Sequence, residues 1–327
     1  MELTDLRAAH RFRKVASLTI IAVYVLILIG GIVRASGAGM GCPDWPTCFG
    51  KLVPPTHESQ LPSNYHEIYA ERGYANTDFN PIKTLTEYLN RLSGVTIGLL
   101  IILTTWYSKV YRRSDPAVFY LSLSVLFLVC FQGWLGSVVV SSNLHPLMIT
   151  IHMLVALAIV ALLIYVTARS QRDLIAKINI EKLPDRVKTF LLMAMAMTLI
   201  QITMGAQVRE AVDLIANKHG YIDRQFWRDS FPMIFYVHRS FSALILLTNA
   251  WIVWQIVKSL PKNHLLFKFA IGLIALISSA ILAGVSLDRL GMPPVAQPIH
   301  LLIANLIFGV QFFIYICCRY SEKSVAV

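Results

Sequence analysis

Phe235-Tyr236-Val237-His238-Arg239-Ser240-Phe241 opens an apolar run that continues to about Val257, and His300 opens another that continues to about Cys318. The two histidines stand 62 residues apart. The stretch Glu87-Tyr88-Leu89-Asn90-Arg91-Leu92-Ser93-Gly94 has the same layout, with Asn90-Arg91 in the place of His238-Arg239. His152 heads a further run 62 residues after Asn90. Gly136 precedes His152 by 16 residues, and Gly284 precedes His300 by 16. The chain therefore reads as an internal repeat with an offset of 148 residues. One copy carries two histidines. The other carries one, with Asn90 in the second place.

The composition is 56% hydrophobic and 14% charged, with a mean hydropathy of +0.61. Soluble domains are about 25% charged, so this is a membrane protein. A bilayer crossing takes about 20 apolar residues. Eight such runs occur, at roughly 15–34, 91–109, 117–140, 146–168, 188–208, 232–257, 266–286 and 298–318. The first follows a charged segment and lacks a small-residue cleavage site, which predicts a retained helix. The expected fold is an all-α integral membrane protein of eight transmembrane helices in two pseudo-symmetric four-helix bundles. Residues 1–168 form the N-terminal half, 169–187 a cytoplasmic linker and 188–327 the C-terminal half. Each half has an even number of helices, so the axis relating them should lie along the membrane normal.

The net charge of +11 is confined to one side. With a cytoplasmic N-terminus, the inner segments hold 18 Lys and Arg against 7 Asp and Glu, and the outer segments hold 11 of each. That is the positive-inside distribution. It excludes a nucleic-acid role and puts both termini in the cytoplasm. The longest outer loop, Ala35 to Thr86, contains Cys42 and Cys48 in an oxidising compartment, which favours a disulfide. A structural staple and a redox-active pair are the two readings of it. His57 and His66 in this loop, and His145 near Pro146, read as solvated loop residues. Cys130, Cys317 and Cys318 read as small packing residues.

Histidines on neighbouring membrane helices suit the axial positions of a haem iron. His238 and His300 would close both faces of one haem, which then carries electrons. A haem bound by His152 alone keeps a free position. Arg34 and Arg209 near helix ends are either snorkelling cations or partners of haem propionates. Glu87 lies one turn from Asn90 and is either an interfacial charge or a proton-handling group. Asn90 either caps the second helix or hydrogen-bonds a ligand. Gln132-Gly133-Trp134-Leu135-Gly136-Ser137 near the end of the third run lets a helix or a flat macrocycle approach closely.

Taken in order, these features resemble the haem A synthase family of cytochrome oxidase assembly enzymes over essentially the whole chain. The motifs are Gly30-Gly31-Ile32-Val33-Arg34-Ala35-Ser36-Gly37, the cysteine-bearing loop, Glu87 with Arg91, and His152, His238 and His300. The resemblance implies oxidation of the C8 methyl of haem O to a formyl group. It implies a haem b cofactor between His238 and His300, with Arg209 and Arg239 beside it. The substrate haem would sit at His152 with Arg34 and Arg91, and Glu87 and Asn90 would be catalytic. Family members carry His where this chain has Asn90, in a Glu-x-x-His-Arg pattern. The implied partners are haem O, haem O synthase, the oxidase assembly route, an electron donor, the lipid bilayer of a bacterial inner membrane or its equivalent, and a second copy of the chain in a homo-oligomer. A quinol-linked b-type cytochrome and a non-catalytic haem carrier or assembly factor are the alternatives.

Overall fold

The computed structural model describes residues 3–218, 227 and 229–322. Eight helices among them are long and apolar enough to cross a membrane. They are α1 (Leu3–Ala35), α2 (Pro81–Tyr107), α3 (Pro116–Ser141), α4 (Pro146–Arg169), α5 (Arg186–Lys218), α6 (Met233–Ser259), α7 (Leu265–Arg289) and α8 (Ala296–Glu322). The all-α membrane architecture and the count of eight agree with the sequence. The outer segment 219–226 that contributed to the charge argument lies outside the described residues, as does Lys323.

Helix starts are chemically specified. Proline is the first residue of α2, α3 and α4, where its missing N–H costs nothing. Asn80 caps α2, its Oδ1 accepting from Ile82 and Lys83 N–H at 3.1 Å each. The second helix thus begins ten residues before the apolar run that announced it. Its first turns are polar because they face a folded loop. The Gly37 backbone takes the left-handed conformation (φ 65°) just beyond α1, and Ala38 N–H closes onto the Val33 carbonyl at 2.9 Å. α5 runs ten residues past its expected end, carried by an Arg209–Asp213 ion pair one turn apart at 2.7 Å.

The chain divides into two compact units, Met1–Val160 and Ala161–Val327. In the first, α2 packs against α1 and α3. Thr19 and Thr104 hydrogen-bond across α1 and α2 at 3.0 Å, both fully buried. In the second, α5 to α8 form a ring of neighbours: α5 with α6, α6 with α7, α7 with α8 and α8 with α5. A buried polar chain locks that ring. Thr198 donates to Gln311 Oε1 at 3.1 Å, Gln311 Nε2 donates to Asn249 Oδ1 at 2.9 Å, and Asn249 Nδ2 donates to the Ile245 carbonyl at 2.8 Å. At 148 residues before Asn249 and Gln311 stand Ile101 and Leu163. His264 caps α7 by accepting from Leu266 N–H at 3.2 Å, so its other nitrogen donates to the Asn179 carbonyl at 3.0 Å.

Replacing Gln311 by Leu leaves the Asn249 oxygen without its partner, whereas Thr198 keeps its 2.8 Å bond to the Ala194 carbonyl. The expected loss is about 1–3 kcal/mol, seen as a lower melting temperature in detergent. An unchanged melting curve would show that the lock contributes nothing.

Candidate functional site

The second unit brings His238 and His300 together. Their ring centres are 6.4 Å apart at an interplanar angle of 71°. Imidazole–metal bonds run about 2.0–2.1 Å, and roughly another 1.2 Å separates a ring nitrogen from the ring centre, so two imidazoles flanking one metal ion stand about 6.5 Å apart. The observed spacing matches. The Ala280 carbonyl lies 2.9 Å from His300 Nδ1. A carbonyl only accepts, so Nδ1 carries the hydrogen and Nε2 keeps the lone pair. His238 Nδ1 is buried without a hydrogen bond among the described residues. The helix neighbours are pared down to glycine: a Cβ on Gly205 would come within 3.3 Å of His238 Cε1, and one on Gly284 within 3.4 Å of His300 Cε1.

In the first unit the corresponding positions are Asn90 on α2 and His152 on α4. Asn90 Oδ1 and His152 Nδ1 are both buried and unpaired among the described residues. Asn90 lies ten residues into α2, so the capping reading of it fails: Asn80 is the cap. A Cβ on Gly136 would lie 3.6 Å from His152 Cε1. Gln132 Nε2 donates to the His152 carbonyl, and Gln201 Nε2 to the His238 carbonyl, each at 2.9 Å. Gln201 was not singled out from sequence, and Gln132 was noticed only for its small neighbours. Their shared signal is spacing, Gln-x-x-x-Gly in both cases.

Glu87 and Arg91 occupy the face of α2 that meets the loop 36–80. Glu87 is 3% exposed. One oxygen takes the Cys42 N–H at 2.8 Å and the other takes Arg91 Nη2 at 2.5 Å and Nε at 3.1 Å. The remaining Arg91 hydrogens go to the carbonyls of Asp44 (2.7 Å), Thr47 (2.9 Å) and Cys42 (2.9 Å). Thr84 donates to the Gly41 carbonyl at 2.8 Å. A Cβ on Gly41 would meet the Lys83 carbonyl oxygen at 2.4 Å, so only glycine allows this approach. Cys42 and Cys48 are joined by a disulfide.

Asp44 gathers the rest of the turn, accepting from Phe49 N–H at 2.6 Å, Gly50 N–H at 2.7 Å and the Thr47 hydroxyl. Phe49 holds φ at 53° while its ring packs edge-on against Tyr65, Tyr69, Tyr74 and Phe79. Burial pushes the Tyr74 phenol up, and the Glu87 charge adds to it, so Tyr74 stays a donor and bonds the Met40 carbonyl at 2.9 Å. His66 is not simply solvated: it bonds the Tyr74 carbonyl at 2.7 Å and packs on the Tyr65 ring. His57 and His145 are exposed, as expected. Cys317 and Cys318 are buried, whereas Cys130 is exposed.

Arg34 is in the last turn of α1. Arg209 is held by Asp213 and by Gln297, three residues before His300. Arg239 follows His238 and faces Asp288 at 3.6 Å. Among the described residues no group of three or more His, Cys, Asp or Glu side chains could hold a bare metal ion. The described residues offer instead the paired imidazoles of His238 and His300.

Residues 13–312 match the model of the COX15-CtaA family, described as cytochrome oxidase assembly protein. The chain belongs to that family. A Heme A synthase from Rickettsia bellii is 27% identical over 329 residues, covering 90% of this chain and 94% of that protein. One from Wolbachia pipientis is 26% identical over 330 residues, covering 93% and 95%. One from Shewanella oneidensis is 30% identical over 168 residues, a match spanning 51% of this chain and 48% of that protein.

Arg91→Ala strands the buried Glu87 carboxylate and frees three carbonyls of the loop. The expected cost is about 3–5 kcal/mol, with residues 42–48 becoming sensitive to limited proteolysis. Arg91→Lys should rescue little, since one ammonium cannot replace a planar fork. A protease-resistant loop in Arg91→Ala would mean that the disulfide and aromatic cluster suffice.

Proposed function

We propose that this chain is a haem A synthase, an enzyme that oxidises the C8 methyl of haem O to a formyl group and so supplies haem A to cytochrome oxidase. The observation that carries the reading is the difference between the units. One presents two imidazoles at the spacing one iron requires, and the other presents one imidazole and a carboxamide. Family membership and the named relatives support the same conclusion.

The C-terminal half, residues 188–327, holds haem b between His238 and His300. When bound, that haem supplies one-electron transfer. His300 is oriented by the Ala280 carbonyl, and the adjoining glycines leave the rings free of side chains on one flank. Arg209 and Arg239 provide positive charge for propionates on the side where α6 and α8 begin.

The N-terminal half, residues 1–168, binds haem O as substrate. His152 holds its iron from one side. Asn90 faces the other, where a carboxamide is a weak ligand but a competent hydrogen-bond partner. Both Glu87 oxygens are engaged by Cys42 and Arg91, which supports an anchoring role over proton transfer. Asn90 is then the polar group of α2 that reaches the substrate. Arg34, in the last turn of α1, is the cation assigned to a propionate in this half, and Arg91 is committed to the loop. The protein lies in the bacterial inner membrane or its equivalent, with both termini cytoplasmic. Haem O synthase delivers the substrate; with dioxygen as oxidant and source of the formyl oxygen, an external donor supplies the electrons that reduce the remaining oxygen to water.

Extraction and chromatography of haems from cells making this chain with a supply of haem O test the reading. Haem B together with haem A or a hydroxylated intermediate is expected. Haem B alone would indicate an electron-transfer cytochrome, and unmodified haem O a carrier. His238→Ala and His300→Ala should each abolish the low-spin haem signal. His152→Ala should stop conversion and leave that signal intact. Asn90→His should turn the substrate haem low-spin; an unchanged spin state would show that Asn90 does not face the iron.

A further inference from the structure

The repeat places an arginine directly after the first axial position of each unit, Arg91 after Asn90 and Arg239 after His238. The two find their carboxylates in different places. Arg91 takes Glu87 from its own helix, one turn back. In the matching place before Arg239 stands Phe235, apolar and buried. Arg239 pairs instead with Asp288 of the neighbouring helix α7, its Nη1 lying 3.6 Å from Oδ2. The residue 148 positions before Asp288 is Val140, so the first unit has no acid at that place.

The Asp288 side chain is only 9% exposed, whereas Arg239 is 48% exposed. Arg289, whose Nε lies 3.6 Å from the same Oδ2, is 62% exposed. One buried carboxylate thus stands beneath two cations that reach water. Its place along the helices is fixed by the histidines. Gly284, whose Cβ would come within 3.4 Å of His300 Cε1, precedes Asp288 by one turn of α7, about 6 Å along the axis. Arg239 is the next residue after His238 on α6. The three charges therefore lie at the end of the unit where α6 begins and α7 ends, one turn beyond the imidazoles. Water and salt screen exposed charges far more than buried ones. The field that reaches inward from this group is dominated by the carboxylate.

We infer that Asp288 sets the reduction potential of the C-terminal haem, its buried negative charge favouring the oxidised iron and so making the haem a stronger electron donor. This rests on the haem reading above. Ferric iron carries one more positive charge than ferrous iron, and a nearby carboxylate stabilises that extra charge. The two arginines act in the opposite sense but through water. Asp288 also draws the Arg239 guanidinium towards α7, the helix whose Gly284 lies against His300.

The test uses full-length protein in detergent with its haem bound. Midpoint potentials are measured by spectroelectrochemistry for wild type, Asp288→Asn, Asp288→Glu and Arg289→Gln, with melting temperature and haem-to-protein ratio beside them. Asp288→Asn keeps the shape and removes the charge, so the potential should rise while the low-spin spectrum is kept. Asp288→Glu keeps the charge and should stay closer to wild type than Asn does. Arg289→Gln removes an opposing charge and should lower the potential, by less than Asn raises it, because Arg289 is the more exposed. An unmoved or lowered potential in Asp288→Asn overturns the assignment. A lower melting temperature without a potential shift would make Asp288 a staple between α6 and α7 and nothing more. If Asp288→Asn loses its haem, Arg289→Gln decides: a lowered potential supports the inference and an unmoved one overturns it. A wild type lacking a bis-histidine low-spin spectrum would overturn the haem reading itself, whereas a normal wild type with an unshifted Asp288→Asn overturns only the role of Asp288.

Discussion

Hydrocarbon gives a polar atom no water to fall back on. Each hydrogen-bonding group in a membrane helix must be satisfied by the protein, or its burial costs several kcal/mol. The chain meets this constraint at its helix contacts. Thr19 meets Thr104, Gln311 meets both Thr198 and Asn249, and serines and threonines along the helices bond carbonyls one turn back. Among the described residues, five of the nine buried side-chain atoms without a hydrogen bond are Asn90 Oδ1, His152 Nδ1, Gln132 Oε1, His238 Nδ1 and Gln201 Oε1. They belong to the repeated positions of the sequence and to the glutamines beside them. Their grouping at these positions suits a site for a ligand.

The loop of residues 36–80 solves a different problem. It has too few residues for a conventional core, so it uses a disulfide, a five-membered aromatic cluster around Phe49 and a buried ion pair lent by α2. The strained backbone of Phe49 is tolerated because four rings hold its side chain in place. Since Glu87 and Arg91 share α2 with Asn90, fastening the loop also fixes the part of α2 that carries Asn90. The anchoring contact and Asn90 lie on the same helix, one turn apart.

The eight helices were legible because long apolar runs have few other uses, and the disulfide was legible from the side on which its loop falls. What escaped was encoded in polar residues inside or beside those runs. Asn80-Pro81 is a strong start signal, but it precedes three turns that are polar because the loop covers them, so the run seemed to begin near Asn90. That misplacement made a cap of Asn90 plausible. Asn249 and Gln311 lie in runs whose average hydropathy hides them, and only the packed structure joins them. Gln132 and Gln201 resemble any solvated helix residue until each is seen on a histidine carbonyl. Periodicity marks the face of a helix, whereas hydrogen-bond partners come from the neighbouring helix.

The odd position of the repeat is odd in more than one residue. Arg34 and Arg209 correspond by the ends of their runs, and Gly30 and Gly205 each lie four residues before them. Four residues further back the second unit has Gln201, while the first has Leu26. A Cβ on Gly205 would crowd His238, whereas one on Gly30 would meet nothing within 4 Å. Asn90 in place of histidine is thus accompanied by an apolar residue in place of the glutamine and by open space at the glycine. The two units therefore differ at three corresponding positions rather than at one, and the differences fall together: in the second unit all three bear on His238, as the ring itself, the amide on its carbonyl and the glycine against it.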